Sequence, residues 1–334
     1  MQLERPPSIN AMAVRIDSLL PGWRVEAFAG LERPEWLALR RQDVTASELG
    51  CLFGDTRYLT PFGLYHRKLL GESDEENEMM KRGRVMEVAA AKLLTMEVPC
   101  LTLTAHEGSY LRLRTADPLV RVGATLDYAG AADMAQLRTA LAVLGAKAPA
   151  EWTGRVSLAC EMKAVAEHAY RDHWADGPPR QYVLQALTQA MLGGHDGAIL
   201  AAIVGSSSFQ VRLVVYCIRR DFDAELAIIE HARDFWEGFE AQRMPDVQAA
   251  DNKALNTTYT ARAEDSIDLA PEWHEISESV VADSDLIDAL QQGVDLRKAQ
   301  LQQLMGTAST AKLPGWTITW RQNAKARPLI WKRK

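Results

Sequence analysis

Cysteine is scarce in this chain: four residues in 334, at Cys51, Cys100, Cys160 and Cys217, all far apart. No C-x-x-C pair exists, which excludes the usual structural-zinc and iron–sulfur frameworks and leaves reduced, mostly buried thiols as the expectation. The seven histidines show neither H-x3-H nor H-E-x-x-H spacing, so none is expected to ligate a metal. No apolar run approaches the roughly 20 residues that span a bilayer. The N-terminus lacks the basic-then-apolar order of a signal peptide. A cytoplasmic protein without a membrane partner is therefore expected. Gly193-Gly194 and Ser206–Ser208 form no phosphate-loop pattern, which removes ATP use, and no internal repeat is visible. An excess of positive charge is also missing. The formal net charge is −6, which on its face argues against a nucleic-acid partner.

The distribution of charge softens that last exclusion. From Lys312 to Lys334 the charged residues are Lys312, Arg321, Lys325, Arg327, Lys332, Arg333 and Lys334, with no acid among them. The acids concentrate elsewhere, in Glu72-Ser-Asp-Glu-Glu-Asn-Glu78, which reads as a solvated loop facing away from any DNA. At 47% hydrophobic and 25% charged the composition is that of an ordinary globular protein, and the length exceeds one usual core. A main domain with an appendage is expected. The divisions are an N-terminal extension over 1–34, a main domain over 35–245, a polar linker over 246–268 and an accessory region over 269–334.

Local patterns place the elements. A short helix is expected around Glu35–Arg41. Thr45 with Glu48 three residues on fits a capping box and starts a helix near Ser47. Thr60-Pro61 reads as an N-cap followed by proline in the first turn, with Gly71 as the stop. A long helix runs from about Met79 to Met96. Two or three strands follow in Leu101–Thr125, then an Ala-rich inserted helix over Ala131–Ala148, a strand over Val156–Ala164 and a strong helix over Arg180–Leu192. Ala198–Val204 and Phe209–Ile218 read as a hairpin, and Asp223–Phe239 as a helix. Ser277–Leu290 and Val294–Met305 read as two helices folded back around Gly293. Trp316–Trp320 and Pro328–Trp331 read as a closing β-hairpin.

The most informative segment is the Val156–Ala164 strand. Side chains alternate faces on a strand, so Val156, Leu158, Cys160 and Met162 share an apolar face. Ser157, Ala159, Glu161 and Lys163 share the other. A carboxylate and an ammonium on the small-residue face are hard to explain by packing. Gly123-Ala-Thr-Leu-Asp127 ends another strand-like run with a second carboxylate, and Gly83-Arg-Val-Met-Glu87 puts a third on a helix. Glu87, Asp127 and Glu161 with Lys163 could hold one or two Mg²⁺ ions and orient a water for phosphodiester hydrolysis. The plain alternatives are a salt-bridged pair on an exposed sheet face for Glu161 and Lys163, and an exposed helix residue paired with Arg84 for Glu87.

The order of these features resembles the YqaJ-type viral recombinase nucleases, which belong with the lambda-type exonuclease to the PD-(D/E)XK superfamily. The residues that carry the resemblance run from Trp36 to about Trp236. They are Trp36-Leu-Ala-Leu-Arg40 with Val44-Thr-Ala-Ser47-Glu48, Arg82-Gly83 with Glu87, Gly123–Asp127, Glu161-Met-Lys163, and Tyr182 with Gln185. The chain departs from the family where Leu126 and Tyr128 flank Asp127, and where a long Ala-rich stretch, rather than a short turn, must loop out before Glu161.

The resemblance implies an α/β fold with a restriction-endonuclease-like core, in which helices flank a central mixed sheet, followed here by a C-terminal helical-hairpin appendage. It implies a Mg²⁺-dependent DNA exonuclease, with Mn²⁺ able to substitute, acting 5′ to 3′ on linear duplex ends in a bacterial or phage-infected cell. Glu87, Asp127 and Glu161 would be metal ligands, and Lys163 and Gln185 would complete the catalytic set. Arg40 and Ser47 would grip a phosphate, and Tyr182 would contact DNA. A single-strand annealing protein would be the partner, and ring-shaped homo-oligomers the assembly. An endonuclease of the same fold and a non-catalytic DNA-binding scaffold are the rival readings.

Overall fold

The strand that carries Glu161 and Lys163 lies in the middle of a sheet. The computed structural model describes residues 22–55, 59–71, 78–205, 210–259, 266–321 and 328–333. In chain order the first elements are β1 (Arg24–Phe28), α1 (Arg33–Arg41), β2 (Val44–Thr45), α2 (Leu49–Leu52), α3 (Pro61–Leu70) and α4 (Glu78–Glu97). Then come β3 (Thr102–Ala105), β4 (Tyr110–Arg114), β5 (Val122–Ala124), β6 (Tyr128–Asp133), α5 (Met134–Val143), β7 (Arg155–Ala166), α6 (Glu167–His173) and α7 (Arg180–Gly193). The remainder are β8 (Gly197–Gly205), β9 (Val211–Arg219), α8 (Phe222–Glu240), α9 (Asn252–Thr258), α10 (Trp273–Met305), β10 (Thr310–Leu313), β11 (Trp316–Trp320) and β12 (Leu329–Arg333). The Ser206–Ser208 turn, most of the acidic run (72–77) and three of the late basic residues (Lys325, Arg327, Lys334) lie outside the described residues.

The central sheet has the order β3-β6-β7-β8-β9 and is mixed: β7 and β8 are parallel and every other pair is antiparallel. The parallel pair needs a crossover, which α6 and α7 supply. Helices cover both faces, so β8 is apolar on both sides, and β7 departs from this at Ser157, Glu161 and Lys163 on the α7 face. On one face Val156, Leu158, Cys160 and Met162 pack with Ala90 and Leu94 of α4 and Leu137 and Leu141 of α5. On the other face Ala159, Ala198 and Ala202 meet Ala186 and Ala190 of α7, and these short side chains let the helix approach closely. The expected mixed sheet flanked by helices is therefore present. A second sheet, β1-β4-β5-β2, stands beside α1 and contains β1, where the sequence suggested no element.

The α3 signals act as expected: the Thr60 hydroxyl accepts the Gly63 N–H at 2.9 Å, Pro61 opens the helix and Gly71 closes it at φ +67°. Several expectations need correction. Asp127 does not end a strand: β5 stops at Ala124, and Asp127 sits in a bend just before β6. The Ala-rich piece does not simply loop out. Its first residues extend β6 against β7, and only Met134–Val143 is helical, capped by Asp133, whose carboxylate accepts the Ala135 N–H. Pro245–Asp268 is not irregular throughout. Ala249–Asp251 forms a 3-10 turn and α9 follows, with buried Asp251 accepting a hydrogen bond from Thr60 on α3.

The chain divides into two compact units, Met1–Thr260 and Ala261–Lys334. In the second, the expected helical hairpin is one helix, α10, of 33 residues. Gly293 costs a helix interior about 1 kcal/mol relative to alanine, which does not break it, and no proline lies within the span. The expected β11–β12 hairpin is present and gains β10 as a third antiparallel strand. Among the described residues no helix is long and apolar enough to cross a membrane.

Candidate active site

Register brings the two strand carboxylates together. Tyr128 pairs with Cys160, so Asp127, one residue earlier, comes level with Glu161. Oδ2 of Asp127 accepts the Met162 backbone N–H at 3.0 Å, and Oδ1 has no hydrogen bond among the described residues. Glu161 is buried at 1% exposure. Its Oε1 accepts from Lys163 and, at 2.7 Å, from Gln185 Nε2, while Oε2 accepts from Gln189 Nε2 at 2.5 Å. Two glutamines one helical turn apart on α7 thus hold the carboxylate from the side opposite the α4–α5 layer. Gln189 also donates to the Thr125 carbonyl at 2.8 Å, and its buried Oε1 has no donor among the described residues.

Electrostatics mark the cluster as strained toward neutrality. Burial, then the negative charge of Glu161, pushes the Asp127 carboxyl up to about 8. Burial opposes the Lys163 ammonium, but Glu161, Asp127 and Glu87 outweigh it and hold its proton more tightly than usual. Glu87 on α4 also titrates above its ordinary value, through burial first, with Lys163 pulling down and Glu161 pushing up. Glu87 is thus within electrostatic reach of the pair. Even so, no three ligand-type side chains among the described residues stand close enough to cage a metal ion by themselves.

Tyr182 joins this centre from α7. The Lys163 ammonium lies 5.2 Å from its ring centroid, and the ring stacks on buried Trp174 at 5.4 Å.

Arg40 and Ser47 lie in a second cluster. The Arg40 guanidinium covers the Trp36 ring at 4.4 Å and donates to Ser47 Oγ at 3.2 Å and to Thr45 Oγ1 at 3.4 Å. The helix expected to start near Ser47 is corrected here: α2 begins at Leu49 and is four residues long, so Ser47 gains no helix N-terminus. Glu48 does reach back, as the capping pattern suggested. Its carboxylate accepts both the backbone N–H and the hydroxyl of Thr45 at 2.9 Å, and then meets Lys68 at 2.8 Å. Lys68, 4% exposed, also donates to the Arg40 carbonyl at 3.0 Å and so anchors the guanidinium's backbone. The clusters are joined. Trp36 Nε1 donates to Thr125 Oγ1 at 2.9 Å, and the Thr125 carbonyl accepts from Gln189, which holds Glu161.

The site residues expected from sequence therefore fall into one connected region, with Glu87 at longer range than Asp127, Glu161 and Lys163. Gln189, Thr125, Trp36 and Lys68 were not among the expected site residues. Gln189 was detectable as the i+4 neighbour of Gln185. Lys68 had no signal, because its partner Glu48 is 20 positions away.

No family model matches the sequence, and no curated protein matches it. Among solved structures the chain is similar to an alkaline exonuclease, LHK-Exo, from Laribacter hongkongensis, at 18% identity and a TM-score of 0.43 over 63% of this chain and 94% of that one. It is also similar to LHK-Exo in complex with dAMP, at 18% identity and a TM-score of 0.42 over 67% and 99% of the two chains. The chemistry of this chain rests on its own side-chain geometry.

Proposed function

We propose that this chain is a divalent-metal-dependent deoxyribonuclease that degrades linear duplex DNA from its ends in the 5′ to 3′ direction. The observation that carries the reading is the level pairing of Asp127 with a Glu161 fixed by Lys163, Gln185 and Gln189. A buried carboxylate beside a half-buried one is repelled by it, and a hard cation relieves that repulsion. The donor set is all oxygen, one Asp127 oxygen is open, and Mg²⁺ is commonly held by one or two carboxylates with water and substrate phosphate completing the shell. Asp127 and Glu161 would hold Mg²⁺ or Mn²⁺, with Glu87 supporting from α4.

When bound, such an ion polarises the scissile phosphate and lowers the barrier to attack by water. Lys163 keeps its proton and faces the negative charge that grows on the phosphate in the transition state. Gln185 and Gln189 fix the Glu161 carboxylate so that it need not reorganise. Arg40 and Ser47 would grip a terminal phosphate, with Trp36 holding the guanidinium plane. Tyr182 would contact the strand beside Lys163. Through the family resemblance, the reading extends to a recombination role with a single-strand annealing partner.

The test is incubation of linear 5′-phosphorylated duplex and of closed circular DNA, each with and without Mg²⁺. Mg²⁺-dependent loss of the linear form alone supports an exonuclease. Cutting of the circle supports an endonuclease instead. DNA binding without cleavage under either condition returns the chain to a scaffold.

A further inference from the structure

Helix α10 carries an apolar seam that none of the described residues of its own unit covers. Its residues recur at alternating spacings of three and four from Trp273 to Leu304. One row is Trp273, Val280, Ile287, Val294 and Leu301. The other is Ile276, Asp283, Leu290, Arg297 and Leu304. That is the a/d pattern of a coiled coil, sustained over four heptads and about 47 Å of helix. Trp273 is 48% exposed, Ile287 64% and Leu304 84%, and of the ten only Leu301 is half-buried. Val281 and Leu296 are exposed off the seam. A helix of this kind gains most of its stability from packing its apolar stripe, so an open seam this long calls for an occupant.

The two polar seam residues say what the occupant is. In a parallel pair of α10 helices, Asp283 would face Asp283 and Arg297 would face Arg297, placing like charges inside the seam. In an antiparallel pair, a positions face d positions. Trp273 then meets Leu304 of the second copy, Ile276 meets Leu301, and Ile287 meets Leu290. Arg297 of the second copy falls opposite Val280, three residues or about 4.5 Å along the axis from Asp283. The guanidinium can span that step, and the two-fold axis repeats the ion pair. The Arg297 guanidinium already lies along the flank of the helix, 3.4 Å from where a Cβ on Gly293 would be. Flanking positions Ser277, Ser279, Ser284 and Gly293 are small and permit close approach.

We propose that α10 is a dimerisation element and that its seam is filled by α10 of a second copy of this chain, antiparallel. A single polar pair within an apolar seam sets orientation and register in this way. The inference needs nothing of the nuclease reading, and its readout is mass rather than activity.

The test is sedimentation equilibrium on the full chain, with four variants alongside wild type. Wild type gives roughly 74 kDa, twice the 37.1 kDa chain. Ile287→Asp gives the single-chain mass with an unchanged melting transition of the first unit, because Ile287 is open to solvent. Asp283→Arg and Arg297→Asp each raise the dimer Kd by about tenfold or more, and the double exchange restores it. A wild-type monomer at tens of micromolar, which is also the outcome if another segment or protein covers the seam, overturns the proposal. So does an oligomer whose mass ignores Ile287→Asp. A double exchange no tighter than either single variant removes the antiparallel pairing and the proposal with it.

Discussion

Replacing Asp127 with asparagine should cost activity and add stability. The carboxyl is pushed up to about 8 from its ordinary 3.8, because burial and Glu161 both disfavour its charge. At roughly 1.36 kcal/mol per unit, ionising it in the folded chain costs up to ~6 kcal/mol. The carboxyl is half-buried and shares its environment with solvent, which brings the expected effect to roughly 3 kcal/mol. Asparagine has the same shape, keeps an oxygen for the Met162 N–H and never ionises. The sign follows from linkage. The folded state holds the proton up to about 8, whereas the unfolded chain releases it near 4. The acid's contribution to stability therefore falls as pH rises through that interval. Asp127→Asn should then be more stable than wild type at pH 8 without divalent metal by about 3 kcal/mol, or on the order of 6–12 °C in Tm for a unit of this size. The gain should vanish near pH 4. Mg²⁺ should raise the wild-type Tm at pH 8 and leave the variant's unchanged, and cleavage should be lost. Thermal melts at several pH values, with EDTA or Mg²⁺, read all of this. A variant no more stable than wild type at pH 8, or stabilised equally by Mg²⁺, would refute the reasoning.

Three further outcomes are expected. Gly123→Ala should destabilise by about 3 kcal/mol or more, because its Cβ would lie 1.9 Å from the Tyr110 hydroxyl, which donates to buried Asp43 beside Arg112; denaturant melts check it, and a change under 1 kcal/mol would contradict it. His195, whose Nδ1 meets Ser157 Oγ at 2.7 Å, is held down at about 4 by burial and by nearby His106 and Arg220. Its folded form excludes a proton that the unfolded chain binds below about 6.5, so wild type should lose about 3 kcal/mol between pH 6.5 and 4. His195→Asn should flatten that part of the stability profile. Arg40→Ala should slow degradation of 5′-phosphorylated ends about tenfold or more and leave 5′-hydroxyl ends nearly unaffected; equal slowing of both would remove Arg40 from end recognition.

The alternation of Val156 through Lys163 was readable because β7 is central: one face had to fit the α4–α5 layer, and the two charged residues stood out against it. Helical spacing puts Gln189 on the same face of α7 as Gln185, but only the packing of α7 on β7 sets that face against Glu161. What could not be read depends on contacts distant in sequence. Asp127 resembled a strand end because Val122–Ala124 is apolar, but only pairing with β7 decides where β6 begins. Thr45 and Glu48 carried a capping pattern, yet Glu48 is also drawn to buried Lys68 and the helix that follows is four residues long. Gly293 resembled a helix stop because glycine usually closes helices, and α10 absorbs it within 33 residues.

The measurement that bears most directly on the account is single-turnover cleavage of 5′-phosphorylated linear duplex by wild type and by Lys163→Ala, at saturating Mg²⁺ and enzyme. If Lys163 stabilises charge on the phosphate, the variant should bind DNA as wild type does and cleave it on the order of 10²–10³ times more slowly. A Lys163→Ala rate equal to wild type would place the chemistry elsewhere and contradict the assignment of Asp127, Glu161 and Lys163 as the active centre.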